Sequence, residues 1–436
     1  MKWIPSDHRD PRARCGPPVF IRLCGYPRPG APAVLLLHGY SASSATFAHP
    51  RLDPNLVRAL HDSGRSVWVA DLRTSAGLGT AVHAWTFETA ACHDIPRAVL
   101  WACRLSKCPR VAIVAHCMGS AMLGMALLAD ADERRARARI DPSKDGELLA
   151  PGATGAVEEP AWRALLQAQP RAMHPWLPGR IEALVMSQVT PLVRFKPGNR
   201  LRAYVMRYLR HVLMSDDYQF HVGEGQKTMR DSMVDRLLMT MPYPVGEFDL
   251  ENPVWPWRRT PWTATRHRMD ALYGQDFELA NVDASVLDFI DDHFGPLSID
   301  TVSQAINFAR FSVITNAEGR NCYVSPVKLR CRYDFPVLAL HGRRNGLTHA
   351  QTLELLQEAF RNAREGTSAG RGRLEIKHFE SLGHQDCLVG GERSRPVFDY
   401  VVDFLDRARV QPPASASPSA AAVVASPADT AVTQEA

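Results

Sequence analysis

Short apolar runs recur along this chain at intervals that favour alternating strands and helices. Continuous apolar runs of four to eight residues are typical of strands that are buried on both faces of a parallel sheet. Such strands are predicted at residues 33–37, 66–70, 111–115, 183–187, 336–340 and 373–378. Helical periodicity predicts helices at residues 86–105, 119–139, 350–361 and 396–409. This alternation predicts an α/β fold with a mostly parallel central sheet flanked by helices.

The alternation stops between residues 190 and 333, a stretch rich in Trp, Met and Pro. A connection of this length is too long for a simple loop in a compact domain. Helical patterns at residues 201–214 and 285–294 predict a large, mainly helical cap inserted into the core. The predicted domains are a core of residues 1–189 and 334–410, a cap of residues 190–333, and a disordered tail of residues 411–436.

The main chemical signal follows the third predicted strand, where residues 116–120 read His-Cys-Met-Gly-Ser. A strand, a tight turn around a nucleophile and a helix together form the nucleophile elbow, in which the residues two before and two after the nucleophile must be small. The turn places Cys117 at a helix amino terminus, where the dipole and free N–H groups favour a thiolate. The N–H of Met118 would then be one oxyanion donor. A buried structural cysteine is the competing interpretation.

The first predicted strand gives independent support, because it leads directly into His38, Gly39 and Tyr40. A His-Gly pair in this position commonly shapes the loop that supplies the second oxyanion donor. We therefore predict the N–H of Tyr40 as that donor, and a structural rather than acid–base role for His38.

A Gly-His pair late in the chain supplies the candidate base. His384 lies between the sixth predicted strand and the last predicted helix, where it would take the thiol proton and later protonate the leaving group. The loop after the fifth predicted strand carries Asn345 where an aspartate is expected. The candidate triad is therefore Cys117, His384 and Asn345, a workable set because a thiol depends less than a hydroxyl on a carboxylate. Asp386 remains an alternative partner for His384.

Composition excludes several other classes of protein. The net charge of +5 over 436 residues comes without a dense Lys/Arg run, which argues against nucleic-acid binding. The amino-terminal residues are polar and lack the apolar region of a secretory signal, and no run approaches the ~20 apolar residues of a membrane span. The nine cysteines are scattered without zinc spacing. We expect a cytoplasmic protein without a metal, a cofactor or stable membrane insertion.

Several of these motifs resemble a known family. The run at residues 34–47 and the Gly-His-Gln-Asp of residues 383–386 resemble the acid-lipase branch of the α/β hydrolases. A closer likeness is to the bacterial hydrolase domain found fused to, or near, cholesterol-oxidase-like (GMC) flavoenzymes. Residues 71–75, 116–120, 187–189 and the loop around Asn345 are similar to that domain. The resemblance covers most of residues 34–406, and it implies a functional link to a flavin-dependent oxidoreductase. The chain shows only Gly77-Leu78-Gly79 without a third glycine, so no dinucleotide cofactor is expected.

The expected activity is cleavage of a carboxylic ester or thioester of an apolar substrate through an acyl-cysteine. Trp255, Trp257 and Trp262 in the predicted cap would suit an apolar pocket, although they fit an ordinary cap core equally well.

Two alternatives stay open at this point. The first is an acyltransferase that uses an acyl-CoA-like thioester, since the polyhydroxyalkanoate synthases also place a cysteine at the elbow of this fold. The second is a non-catalytic accessory protein that binds an apolar ligand for an oxidoreductase, since the usual serine and aspartate are both replaced.

Overall fold

A central sheet of eight strands organises the part of the chain that the structure, a computed structural model, describes. The described residues are 1–5, 19–83, 85–130, 172–199, 217–218, 228–229, 232–233, 268–269, 274–282, 294–364 and 373–410. The strands in chain order are β1 (Lys2–Pro5), β2 (Phe20–Tyr26), β3 (Ala33–Leu37), β4 (Ser66–Asp71), β5 (Val111–His116), β6 (Ile181–Ser187), β7 (Asp217–Tyr218), β8 (Leu297–Ser298), β9 (Val337–Gly342) and β10 (Leu374–Phe379). The short strands β7 and β8 pair with each other outside the main sheet.

The strand order of the main sheet is β1-β2-β4-β3-β5-β6-β9-β10. The pairs β1/β2 and β2/β4 are antiparallel, and all pairs from β4 to β10 are parallel. Every residue of β3, β4 and β5 is buried, which explains why these strands read as continuous apolar runs. The mostly parallel sheet predicted from the sequence is confirmed, while the antiparallel strands β1 and β2 at one end of the sheet were not predicted.

Helices flank the sheet, some in the four places where the periodicity predicts them and others, such as residues 45–48 and 56–62, in places that were not predicted. They are α1 (Ala45–Ala48), α2 (Leu56–Asp62), α3 (Phe87–Thr89), α4 (Ile95–Ser106), α5 (Met118–Leu128), α6 (Ile299–Phe311), α7 (Pro326–Arg332), α8 (Gln351–Arg364), α9 (Asp386–Val389) and α10 (Arg395–Val410). A π-helical turn at Ala90–Asp94 joins α3 to α4 without a break, so the helix predicted at residues 86–105 is continuous and widens there. The part of the helix predicted at residues 131–139 lies outside the described residues.

Much of the predicted cap also lies outside the described residues, and its boundaries remain a prediction. Within the cap range, α6 begins just after β8, and α7 packs against α5 and α8 of the core. The helical pattern at residues 201–214 and the tail of residues 411–436 fall outside the description. No helix among the described residues is both long enough and apolar enough to cross a bilayer.

The parallel arrangement decides where chemistry can occur. Strands β3, β5, β6, β9 and β10 run in the same direction, so their carboxyl ends meet at one edge of the sheet. Ligands of open α/β sheets bind beyond this edge. The loops that follow these strands carry Tyr40, Cys117, Gln188, Asn345 and His384, so the candidate residues gather there.

A buried ion pair secures the loop after β4 to the turn before α4. Asp94 accepts hydrogen bonds from the Arg73 main-chain N–H at 3.0 Å and from Arg73 Nε at 2.8 Å, and Arg73 Nη2 lies 2.6 Å from Asp94 Oδ1. Both side chains are almost completely inaccessible to solvent. Removing the carboxylate would take the Asp94 charge away from a buried guanidinium.

We therefore expect Asp94→Ala to lower the free energy of unfolding by about 3–5 kcal/mol, measured from urea denaturation midpoints. The control is Asp53→Ala, which removes an exposed pair with Arg58 and should cost no more than about 1 kcal/mol. Equal effects of the two substitutions would contradict a stabilising role of the buried pair.

Candidate active site

Cys117 forms the sharp turn between β5 and α5. Its main chain has φ 52° and ψ −127°, in the positive-φ region that non-glycine residues rarely adopt. Such a conformation costs on the order of 1–3 kcal/mol and persists only where the surroundings impose it. The N–H of Cys117 donates to the carbonyl oxygen of Ser187 at 2.9 Å, which ties the turn to the end of β6.

The glycines around the turn are required by close approach. A Cβ at Gly119 would lie 2.6 Å from the carbonyl oxygen of His38 and 2.8 Å from that of Leu37. A Cβ at Gly39 would lie 2.9 Å from the Cys117 Cβ. The ends of β3 and β5 are therefore in contact through residues that have no side chain, as the elbow spacing predicts.

The two predicted oxyanion donors both reach the cysteine sulfur. Hydrogen bonds from the main-chain N–H groups of Met118 and Tyr40 act on the Cys117 thiol and lower its pKa. One donor comes from the first residue of α5, and the other from the loop after β3. Two N–H groups that converge beside a nucleophile are the arrangement that stabilises an oxyanion.

His38 and Asp71 fix the loop that carries Tyr40. His38 Nδ1 donates to the carbonyl oxygen of Gly39 at 2.8 Å, and His38 Nε2 accepts from the Leu72 N–H at 3.2 Å. Asp71 accepts from the N–H and the hydroxyl of Ser44 at 2.7 and 2.9 Å, and from the Ser75 hydroxyl at 2.7 Å. Both ring nitrogens of His38 are thus used within the fold, which is the structural role that the sequence suggests.

His384 is buried in the loop after β10, beside the elbow. Its ring centroid lies 5.1 Å from that of His116, the residue before Cys117. Its Nδ1 lies 2.9 Å from Nδ2 of Asn345. Its Nε2 is buried and has no hydrogen-bond partner among the described residues. Burial, followed by the neighbouring His116 and His341, holds the pKa of His384 well below its usual value.

Asn345 contacts several polar groups at once. Its Oδ1 accepts from the N–H groups of Leu347 at 2.8 Å and Thr348 at 3.0 Å. Its Nδ2 lies 2.9 Å from Oε1 of Gln188 and 2.9 Å from Oγ1 of Thr348, besides its contact with His384. The structure therefore brings together the side chains of Asn345 and His384, with the elbow next to them.

Asp386, the alternative partner of His384, faces the other way. Its carboxylate accepts from the N–H of Gly383 at 2.9 Å, from the N–H of Glu278 at 3.1 Å and from Nδ2 of Asn281 at 2.8 Å. These bonds join the His384 loop to residues 274–282, which belong to the predicted cap range. Asp386 therefore positions that segment over the site instead of orienting the imidazole.

The electrostatics of Cys117 differ from the thiolate expected at a helix amino terminus. Burial and, after it, the charge of Asp276 raise the pKa of the Cys117 thiol to about 12, against the smaller opposing effect of the Met118 and Tyr40 N–H groups. The thiol is therefore neutral at physiological pH, and so is His384. The expectation of a thiolate at this position was wrong because the site is closed, and desolvation outweighs the helix dipole.

Several residues of the site were not predicted from the sequence. Gln188, at φ 71°, and Thr348 both contact Asn345, and Asp276 reaches the site from the cap range. Gln188 directly follows a predicted strand at the reactive edge of the sheet, which was a usable signal. Asp276 had none, because nothing in the local sequence indicates that its segment folds over Cys117.

Some predicted features cannot be placed. Trp255, Trp257 and Trp262, predicted to line the substrate pocket, lie outside the described residues. Within the described ranges, no cluster of three or more His, Cys, Asp or Glu side chains has the geometry to hold a metal ion.

Comparison with known proteins agrees with the fold. A family model described as "alpha/beta hydrolase fold" matches residues 32–171. No curated protein matches the chain. Similar solved structures include one from carboxylesterases of the Thaumarchaeon Nitrososphaera gargenis, with 12% identity and a TM-score of 0.45 over 89% of this chain and 95% of that chain. A lipase in its open form has 15% identity and a TM-score of 0.44, and the match covers 90% of this chain and 96% of the lipase chain. An epoxide hydrolase A from Mycobacterium thermoresistibile has 16% identity and a TM-score of 0.36, and the match covers 89% of this chain and 95% of the epoxide hydrolase chain.

The sheet order and the family match together define an α/β-hydrolase fold. The elbow, the paired N–H groups and the late histidine lie at the carboxyl edge of its sheet.

The elbow packing predicts the effect of adding one methyl group. Gly119→Ala should shift the contact between β3 and β5 and destabilise the protein by about 1–3 kcal/mol in thermal unfolding. Gly179→Ala is the matched control, because a Cβ at Gly179 meets nothing within 4 Å. A Gly119→Ala protein as stable as the control would contradict the close approach.

The raised thiol pKa predicts slow alkylation of Cys117 at neutral pH. The iodoacetamide rate should keep rising by about tenfold per pH unit up to pH 10, because only the thiolate reacts. Asp276→Asn should raise the rate at a given pH, because it removes a charge that disfavours the thiolate. Peptide mapping measures the label, with the exposed Cys331 as an internal reference. A rate that levels off below pH 8 would contradict the raised pKa.

Proposed function

We propose that this α/β hydrolase cleaves an ester or thioester of an apolar acyl group through an acyl intermediate on Cys117. The strained main chain of Cys117, with the N–H groups of Tyr40 and Met118 directed at its sulfur, is the observation that carries this proposal. A buried structural cysteine would need neither the positive φ nor two converging donors.

In the proposed reaction, the Cys117 thiol loses its proton, the thiolate attacks the acyl carbon, and the carbonyl oxygen becomes an oxyanion. The Tyr40 and Met118 N–H groups stabilise the negative charge in a site from which water is largely excluded. The tetrahedral intermediate collapses to acyl-Cys117 and releases the leaving group. Attack on this thioester by water or by another acceptor then frees the enzyme. We assign His384 to act on these groups, because its ring lies 5.1 Å, centroid to centroid, from that of His116, the residue before Cys117.

The segment over the site supports an apolar acyl group. Phe277 follows Asp276, and its ring lies 6.3 Å from that of Phe294, centroid to centroid. Gly295, next to Phe294, donates its N–H to the carbonyl oxygen of Ser41 at 2.9 Å, beside Tyr40. Both aromatic rings are buried close to the oxyanion loop. An acyl chain bound here would pack against hydrocarbon instead of water.

The test is the mass of the intact protein after brief exposure to a p-nitrophenyl ester of a medium-chain acid. Wild type should gain one acyl group, and Cys117→Ala should gain none. Cys331→Ala serves as the matched control, since it removes an exposed thiol and should leave the adduct unchanged. The rate at which the adduct is lost to water, or to an added alcohol or thiol, separates a hydrolase from an acyltransferase.

An adduct that persists in Cys117→Ala would exclude the cysteine mechanism. Tight binding of an apolar ester without any adduct would instead favour a non-catalytic ligand-binding protein.

A further inference from the structure

The side-chain amide of Asn345 has only one orientation that satisfies its neighbours. Two main-chain N–H groups, of Leu347 and Thr348, point at one end of the amide, which must therefore be the oxygen. If the oxygen and nitrogen were exchanged, the N–H groups of the amide would face these two main-chain N–H groups in a buried site. The nitrogen Nδ2 is consequently the atom that faces His384.

Gln188 fixes the same orientation from the other side. Its Oε1 accepts from the N–H of Gly342 at 3.0 Å, so the oxygen end of this second amide is also determined. The same oxygen lies 2.9 Å from Asn345 Nδ2 and requires a donor there. The orientation of Asn345 is thus set by two main-chain N–H groups of its own loop and, through Gln188, by the N–H of Gly342 at the end of β9.

The orientation of the Asn345 amide determines which ring nitrogen of His384 carries the proton. The Nδ1 atom lies 2.9 Å from an amide nitrogen that has protons to donate and no lone pair to offer. A proton on Nδ1 would find no acceptor in Asn345 Nδ2, so Nδ1 is bare and a neutral ring carries its proton on Nε2. An aspartate at the position of Asn345 would produce the opposite tautomer, with Nε2 free to act as a base.

We infer that Asn345 and Gln188 hold His384 as the Nε2–H tautomer, which makes the site selective for acyl thioesters as donors and thiols as acceptors. This inference rests on the proposed acyl-Cys117 function, and it decides between the ester and thioester substrates that the proposal leaves open. Asn345 and Gln188 are positioning residues that act through His384.

The selectivity follows from what an Nε2–H imidazole can do. It cannot take the thiol proton at Nε2, and giving up its own proton would leave an imidazolate. It can only donate a hydrogen bond. The thiol proton therefore leaves to solution before attack, and the leaving group must depart as an anion. A thiolate leaves readily in this form, whereas the alkoxide of an alkyl ester needs a proton.

The resulting exchange needs no proton transfer within the site. The Cys117 thiolate forms a bond to the acyl carbon, and the carbon–sulfur bond of the substrate breaks with its electron pair on the departing thiolate. In the second half, an acceptor thiolate attacks acyl-Cys117 and the Cys117 thiolate is released. Water is a poor acceptor by comparison, because its attack requires a base that this tautomer does not provide.

The tautomer can be measured directly, without any substrate. In protein with ¹⁵N-labelled histidine, the nitrogen that carries the proton is distinguished from the bare nitrogen by its chemical shift. The His384 signals are assigned among the 16 histidines by their loss in His384→Gln. We expect a bare Nδ1 and a protonated Nε2 between pH 6 and 9, and a protonated Nδ1 would overturn the inference.

The selectivity is tested with an octanoyl thioester of N-acetylcysteamine and with ethyl octanoate. Wild type should form the adduct faster from the thioester than from ethyl octanoate. The ratio of these two rates should exceed the same ratio for a free thiol in solution by more than about a hundredfold. Asn345→Asp combined with Gln188→Gly should increase acylation by the ethyl ester and make that rate level off at a lower pH. Glycine suits the positive φ at position 188 and removes the oxygen that would oppose the new carboxylate.

Failure of the inference and failure of the proposed function give different results. Wild type that forms the adduct equally well from both donors, after correction for the free thiol, overturns the thioester selectivity while the acyl-Cys117 function stands. No adduct from the thioester or from the p-nitrophenyl ester rejects the proposed function, whatever tautomer is found.

Discussion

The geometry of the whole site depends on the main-chain conformation of Cys117. That conformation is unfavourable by itself, and two neighbouring strands impose it. Strand β6 accepts the Cys117 N–H through Ser187, and β3 approaches so closely that Gly39 and Gly119 have no room for side chains. The same contacts place the N–H groups of Tyr40 and Met118 around the sulfur. The strain and the donor geometry thus have one origin, the convergence of parallel strands at one edge of the sheet.

The sequence predicts this part of the molecule well, because the physical causes are local or nearly so. Apolar runs report strands buried on both faces, and a small-residue turn between such a strand and a helix has few structural interpretations. The antiparallel strands β1 and β2 escape prediction, because a strand in which buried and exposed residues alternate reads as a mixed polar sequence. In β2, for example, buried Ile21 and Leu23 are separated by Arg22, whose guanidinium binds Asp71.

The chemistry of the site depends on contacts that no local pattern reports. The pKa of Cys117 is raised by burial and then by the charge of Asp276, which lies more than a hundred residues further along the chain. The orientation of Asn345 is decided partly by Gln188, which is itself fixed by the N–H of Gly342. The sequence identifies Asn345 as a candidate, but only the hydrogen-bond network shows which end of its amide faces His384.

The cysteine at the proposed nucleophile position and the asparagine at the proposed acid position become consistent with each other if His384 is the Nε2–H tautomer that we infer. A serine at position 117 would need a base to remove its proton, and an imidazole protonated at Nε2 cannot be that base. A thiol ionises far more readily than a hydroxyl, so a cysteine can reach its reactive form by losing a proton to solution even when burial disfavours the anion. Asn345 is therefore tolerable only together with Cys117. Gln188 extends the same dependence, because its amide oxygen at 2.9 Å would repel a carboxylate at position 345 but accepts a bond from the amide. The three residues form one chemical unit, in which changing Asn345 alone would require the others to change with it.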